Sequence, residues 1–368
     1  LKIVISGFYG LGNTGDEAIL ESMIDNLRDE LEDVEITVFS LSPEKTASDH
    51  QVKSIYRGWR HQFFDKVKAL KEADLLLSGG GGLLQDTYPT KIIFGPLPYY
   101  LLIVFLAKLC GTKVMFFSQG IGPVSTKYAK FLMVLFANLA DVITVRDQFS
   151  KDLLQKLKVT KPKTIVTADI VFAYKKKEDT RCLDSLPLKG TEKLVAISVR
   201  PWFEYTDHYK QLAKIADDLI VQAGVTPVFV PMEGHHDFTA SEKVLEQMAH
   251  RDQCLILGPN FTPSQYLAFI GQCQLTIGLR LHALIFAAIT GVPHIGISYD
   301  KKVESLLKRS GMWSYSSTLE DVNCQKLTEN AIYLLQNQEK YHLMINKNVA
   351  SLREAALENI KILKTYFL

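Results

Sequence analysis

The chain has 368 residues, 47% hydrophobic and 22% charged, with a formal net charge of +2. That length suits about two domains with sizeable cores, which excludes an extended disordered chain. No Lys/Arg-rich run with interleaved aromatics is present, so no nucleic-acid partner is expected.

The first half alternates short β runs with amphipathic helical stretches. KIVISG, EITVFSL, ADLLLSGG, KVMFFSQG, DVITVRD and KTIVTAD read as strands, the alternation of a doubly wound parallel sheet. Leu1–Ser6 reads as a strand rather than a leader. Directly after it, Phe8–Glu17 (FYGLGNTGDE) opens a helix near Asp16, with Asn13 and Glu17 beside it. Asp16 there is either a helix cap or a base that takes a proton from a sugar hydroxyl. Ser78–Asp86 (SGGGGLLQD) follows another strand. A run containing Gly79, Gly80 and Gly81 suggests close ligand approach or an anion nest rather than packing alone.

Leu97–Ala107 is the longest apolar run, with Tyr99–Phe105 apolar on all sides, but it is too short to span a bilayer, which leaves a buried or surface-docking helix. Ser118–Pro123 (SQGIGP) closes the next strand. There Gln119 is either a partner for sugar hydroxyls or part of a simple turn. Arg146 in VRD either pairs internally or faces a ligand as an anion clamp. Arg200 in SVRPW has the same two readings.

Lys175–Lys193 is polar and aperiodic and reads as an interdomain linker. Strand signals resume at KLVAISVR, TPVFVPM, QCLILG, QLTIGL and PHIGIS. The expected division is a Rossmann-like domain over 1–175, a linker over 176–192, a second Rossmann-like domain over 193–345, and a C-terminal helix over 346–368 that crosses back. Two such domains with a central cleft form the α/β, glycosyltransferase-B-like architecture.

The corner IGLRLHALIFAA is the most telling feature. A buried strand reaches Gly278, Arg280 and His282 follow, and an apolar helix starts. A guanidinium, an imidazole and helix N–H groups at such a corner make an anion site. Capping and packing are the structural alternative. In ISYDKKV, Lys301 and Lys302 fall in a helix's first turn, where cations oppose the dipole and invite an anion. His235 and His236 lack a third ligand, so no metal is expected. The five cysteines are scattered and read as reduced thiols of a cytoplasmic protein.

In order, GFYGLGNTGDEAIL, SGGGGLLQD, SQGIGP, VRD, TADIVF, IGLRLHALIFAAITGVP and SYDKKV resemble the polysaccharide pyruvyl transferase family, and most nearly its bacterial cell-wall CsaB type. The resemblance implies that phosphoenolpyruvate is co-substrate and that no cofactor or metal is needed. It implies a lipid-diphosphate-linked amino-sugar acceptor, with N-acetylmannosamine receiving a 4,6-ketal of the kind S-layer proteins recognise. The first domain would then hold the acceptor and the second the donor. Arg146, Arg280 and Lys302 become donor ligands, and His282 and Asp16 the acid–base groups. Asn13, Gly79, Gly80, Gly81, Gln119 and Arg200 would line the cleft. A polyprenyl-linked acceptor implies peripheral contact with the inner membrane leaflet, for which Tyr99–Phe105 with Lys91, Lys108 and Lys113 is the expected surface. A nucleotide-sugar glycosyltransferase and a non-catalytic glycan-binding scaffold are the competing readings.

Overall fold

The computed structural model describes residues 1–58, 61–86, 95–175, 179–188, 190–202 and 207–368. It divides into two compact units. The first comprises Leu1–Leu11, Asp16–Lys175 and Leu352–Leu368, and the second Gly12–Gly15 and Lys176–Ser351.

The first unit is built on seven strands: β1 (Lys2–Ser6), β2 (Glu35–Ser40), β3 (Lys53–Tyr56), β4 (Leu75–Leu84), β5 (Lys113–Ile121), β6 (Val142–Val145) and β7 (Lys163–Val166). Their order is β3-β2-β1-β4-β5-β6-β7, and every pairing is parallel. The sequence order reverses between β1 and β4, so a crevice for ligands is expected at their carboxyl ends. Ile3, Val4, Ile5 and Leu75–Leu77 are buried. A sheet covered on both faces requires such continuous apolar runs.

The second unit repeats the plan with β8 (Leu194–Ser198), β9 (Thr226–Phe229), β10 (Leu255–Ile256), β11 (Leu275–Gly278), β12 (His294–Ser298) and β13 (Ser317–Thr318). The order is β10-β9-β8-β11-β12-β13, again all parallel. Its reversal lies between β8 and β11. The chain ends in a 30-residue helix, Gln338–Phe367. Asn359 on that helix fixes Leu352–Leu368 within the first unit, accepting from Thr167 Oγ1 at 3.0 Å and donating to the Ala168 carbonyl at 3.3 Å.

Part of the expected linker, Lys176–Glu178 and Lys189, lies outside the described residues. The rest packs on the second unit, with Cys182 buried and its thiol donating to the Gln265 carbonyl at 3.2 Å. All five cysteines are free. Among the described residues no helix is long and apolar enough to cross a membrane.

The helix Pro96–Leu109 corrects the expectation of a docking surface. Tyr99, Tyr100, Leu101, Ile103 and Val104 are buried in the first unit's core. Lys108 is drawn down to Asp141 at 3.0 and 3.1 Å. Lys91 lies outside the described residues. The outward apolar face belongs instead to the helix Lys127–Phe136, where Phe131 is 62% exposed and Val134 and Leu135 are 40% and 48% exposed.

Candidate functional site

In the second unit three adjacent strands deliver their exit residues to one edge. Arg200 follows β8, Arg280 follows β11 and Tyr299 follows β12. Arg280 is buried and lies in a carboxylate grip. Its Nε and Nη2 donate to the two oxygens of Asp237 at 2.9 and 2.5 Å, and Glu233 Oε2 lies 2.5 Å from Nη2. Asp237 is fully buried, and it also accepts the backbone N–H groups of Met232 and Glu233. Burial opposes the guanidinium charge, but Asp237 and Glu233 outweigh it and hold the Arg280 pKa above its ordinary value. Arg280 therefore presents no open fork. It sits at the N-cap position of Leu281–Thr290 and makes no side-chain cap bond.

Arg200 differs. No carboxylate among the described residues pairs with it. Its Nη1 donates to the Tyr299 phenol, and its guanidinium carbon lies 4.7 Å from the Tyr299 ring centre and 5.2 Å from that of Trp202. The Lys302 ammonium stands 5.6 Å from the same tyrosine ring and 3.4 Å from Asp300. Asp300 caps the helix Lys301–Ser310 by accepting the Lys302 N–H at 3.1 Å. Burial pushes the Tyr299 phenol up, but Lys302, Arg200 and Arg280 pull it down more strongly, so its pKa lies below the ordinary value.

The His282 ring packs directly on Gly15. A Cβ on Gly15 would lie 2.0 Å from His282 Nδ1. The loop carrying Gly15 is pinned within the same unit. Asn13 bridges Glu233, its Oδ1 accepts the Gly15 N–H at 3.0 Å, and the Thr14 N–H donates to the Met232 carbonyl at 2.8 Å. Within PMEGHHD, Glu233 and Asp237, not His235 and His236, hold Arg280. The two histidines lie exposed in the first turn of the helix Gly234–Leu245. No group of residues that could hold a metal occurs among the described residues.

In the first unit the glycine run continues β4 rather than forming an open nest. A Cβ on Gly79 would lie 2.5 Å from the Phe117 carbonyl, and one on Gly80 would lie 1.9 Å from an Ile19 methyl. Gly81 adopts φ +78° and admits the Asp16 carboxylate, which a Cβ would meet at 2.8 Å. Glu17 accepts the Gly10 N–H at 2.8 Å, and burial raises its pKa despite that bond. The two acids of GDE are thereby told apart: Glu17 ties the loop and Asp16 faces the glycine strand. Tyr9, buried beside them, donates to the Gly79 carbonyl at 2.5 Å. Burial first and Asp16 second push its pKa well up.

Gln119 is buried. Its Nε2 donates to the Gly81 carbonyl at 3.1 Å, while its Oε1 has no hydrogen-bond partner. Arg146 is also buried, its Nη1 3.0 Å from Asp169 and its Nε 3.8 Å from Asp147. Gly120 leaves room for its guanidinium. Like Arg280, Arg146 presents no open clamp. Asp169, Asp237, Glu233, Tyr9 and Tyr299 are the neighbours that sequence reading did not single out. Asp169 and Tyr299 stand inside the quoted motifs TADIVF and SYDKKV.

A profile of the polysaccharide pyruvyl transferase family matches residues 13–301. The amylovoran biosynthesis protein AmsJ of Erwinia amylovora is 21% identical, over 95% of each chain. UDP-GlcNAc 2-epimerase of Neisseria meningitidis, solved with UDP-GlcNAc bound, superposes with TM-score 0.67 at 14% identity, over 99% of this chain and all of that one. The S. aureus MnaA–UDP structure gives TM-score 0.68 at 12% identity, over 99% and 96%. E. coli ADP-heptose LPS heptosyltransferase II gives 0.53 at 13%, over 92% and 100%. At such identities these structures show the glycosyltransferase-B-like fold alone. The matched segment runs from Asn13 to Lys301 and holds the residues described above except Tyr9, Gly10 and Lys302, so the chain belongs to the polysaccharide pyruvyl transferase family and is a transferase that pyruvylates polysaccharide.

Proposed function

We propose that the chain transfers the pyruvyl group of phosphoenolpyruvate to a sugar diol as a cyclic ketal, with release of phosphate. One observation carries the reading: Arg200, a guanidinium that no carboxylate among the described residues pairs with, is held on Tyr299, with the Lys302 ammonium on the same ring. A small donor bearing a phosphate and a carboxylate needs two cations. Arg200 and Lys302 bind the donor anions. Arg280, locked to Asp237 and Glu233, positions that edge of the sheet, and Arg146 does the same in the first unit.

The methylene carbon gains a proton, and the central carbon becomes electrophilic. One sugar hydroxyl adds there and gives up its proton. The C–O bond to phosphate then breaks and its electron pair leaves with phosphate. The second hydroxyl adds and loses its proton, which closes the ring. One proton has entered the methyl group, and the second hydroxyl proton is balanced by the leaving phosphate. His282 serves as general acid or base and Asp16 as base toward a hydroxyl. No metal or further cofactor is required.

The acceptor we propose is an N-acetylmannosamine unit, pyruvylated at its 4- and 6-hydroxyls, on a lipid-diphosphate-linked cell-wall precursor, as in the CsaB type. A polyprenyl carrier requires contact with the cytoplasmic leaflet. The exposed apolar face of Lys127–Phe136, with Lys127 and Lys130 beside it, suits anionic lipid.

The test is incubation with phosphoenolpyruvate and a mannosamine-containing disaccharide diphosphate. Phosphate release coupled to ketal formation is expected. Nucleotide release from a nucleotide sugar, or glycan binding without turnover, overturns the reading.

A further inference from the structure

Arg57 stands one residue beyond β3, in the first unit, and takes no part in the chemistry described above. Its guanidinium carbon lies 5.4, 5.0 and 5.3 Å from the ring centres of Phe8, Tyr99 and Tyr100. Such rings satisfy the faces of a guanidinium but not its in-plane N–H groups. Its Nη1 is buried and has no acceptor, and the Tyr100 hydroxyl, in a residue only 1% exposed, has no partner either. A charge taken out of water normally finds a counter-charge. Arg146 has Asp169 and Asp147, whereas no carboxylate among the described residues pairs with Arg57.

The backbone at Arg57 is also held by hydrogen bonds. The Arg57 N–H donates to the Ser40 carbonyl at 2.9 Å. The buried Lys66 ammonium donates to the carbonyls of Tyr56, Gly58 and His61 at 3.0, 2.8 and 2.8 Å. The cation is therefore held in place before any ligand arrives.

We propose that Arg57, with Tyr100, forms a subsite for an oxyanion attached to a sugar: Arg57 Nη1 and the Tyr100 hydroxyl donate to the oxyanion. Naming that ligand as the glycan acceptor rests on the pyruvyl-transfer reading. The subsite itself rests on the geometry alone. The oxyanion comes either from the diphosphate of a carrier-linked glycan or from the carboxylate of an acidic sugar.

The experiment is equilibrium binding in the absence of phosphoenolpyruvate, so it does not depend on turnover. The probes are one disaccharide carrying a reducing-end diphosphate, the same disaccharide without phosphate, and one carrying a uronate. Wild type should bind at least one anionic probe more than tenfold tighter than the neutral one, and the stronger of the two identifies the source. Arg57→Met and Tyr100→Phe should remove that preference and leave neutral binding within twofold, with Arg57→Lys intermediate. Melting curves establish that each variant is folded. If Arg57→Met fails to fold, Tyr100→Phe and Arg57→Lys carry the test. Unchanged discrimination in the folded variants, or weakened binding of phosphoenolpyruvate alone, overturns the subsite. Intact anion discrimination in a wild type that transfers no pyruvyl group would count against the pyruvyl-transfer reading and not against the subsite.

Discussion

The Arg200 guanidinium donates to the Tyr299 phenol and stacks on the same ring, so the net charge the pair presents to a ligand depends on the ionisation of the phenol. A neutral phenol leaves the pair with the full guanidinium charge toward a ligand, whereas a phenolate would offset that charge as an ion pair. The first unit repeats half of this design, since Arg57 also rests on aromatic rings and no carboxylate among the described residues pairs with it.

Donor affinity should accordingly fall on the alkaline side. The Tyr299 pKa is lowered from 10.0, with burial opposing the shift and Lys302, Arg200 and Arg280 producing it. As pH rises toward 10 the phenol deprotonates early, and the KM for an anionic donor should climb. Tyr299→Phe should remove that alkaline limb while retaining activity at neutral pH. Donor KM measured from pH 7 to 10 in both proteins checks this. Identical limbs would separate Tyr299 from donor binding.

Asp237→Asn should cost about 3–5 kcal/mol of stability, because it strands the buried Arg280 charge. Arg280→Lys should also be poorly tolerated. An ammonium cannot reproduce the two-pronged bond to Asp237 and reach Glu233 as well. Denaturant unfolding of both variants measures the loss. Stabilities within 1 kcal/mol of wild type would argue that Glu233 alone sustains the charge.

His282→Ala should reduce turnover about 10²–10⁴-fold in a folded protein. Gly15→Ala should reproduce much of that loss without touching the imidazole chemically, since its methyl would occupy the place of the ring. A Gly15→Ala enzyme with full activity would show that His282 acts from another rotamer. A fully active His282→Ala enzyme would remove His282 from the mechanism.

Sequence reading reached the strands that are continuous apolar runs and missed β3 and β13. Lys53–Tyr56 (KSIY) opens on two polar residues and Ser317–Thr318 has no apolar residue, so neither carries a hydrophobic signature. The site was legible as motifs but not as pairs. Arg146 and Asp169 are 23 residues apart, and Arg280 and Asp237 are 43 apart. Only the folded sheet edge shows that each arginine already has its acid. The glycine run misled for a related reason. What Gly79 and Gly80 accommodate is Phe117 and Ile19, neighbours in space that spacing cannot reveal.

His294 provides a pH test of the second unit's core. It is buried, its Nδ1 3.0 Å from the Val292 carbonyl and its Nε2 2.9 Å from Ser310 Oγ. Burial lowers its pKa from 6.5 to about 4. Between those values the unfolded chain binds the extra proton, so stability rises with pH there and is lost as pH falls from 6.5 through 4. The full loss is about 3 kcal/mol at roughly 1.4 kcal/mol per unit. His294→Gln should flatten this part of the profile. An unchanged slope in urea titrations from pH 4 to 7 would assign the acid loss to carboxylates instead.

The helix Lys127–Phe136 supplies the last test. Its inward face, Ala129, Leu132 and Met133, is buried, and Phe105 packs on Phe136 with ring centres 5.3 Å apart. Its outward face carries Phe131, Val134 and Leu135 next to Lys127 and Lys130. Apolar side chains that enter the acyl boundary, with lysines at the headgroups, give affinity that needs both parts. Each lysine contributes about 1 kcal/mol near an anionic surface. Flotation with vesicles containing anionic lipid should therefore recover the wild type. It should recover less of Phe131→Ser/Leu135→Ser, and less again of Lys127→Glu/Lys130→Glu. High salt should release the wild type but not rescue the serine variant. Lys108→Glu/Lys113→Glu should float like the wild type, because Lys108 is bound to Asp141 and the helix before it is core. Equal flotation of all four proteins would reject this face. It would leave pyruvyl transfer intact, since a disaccharide diphosphate without its lipid should still be a substrate.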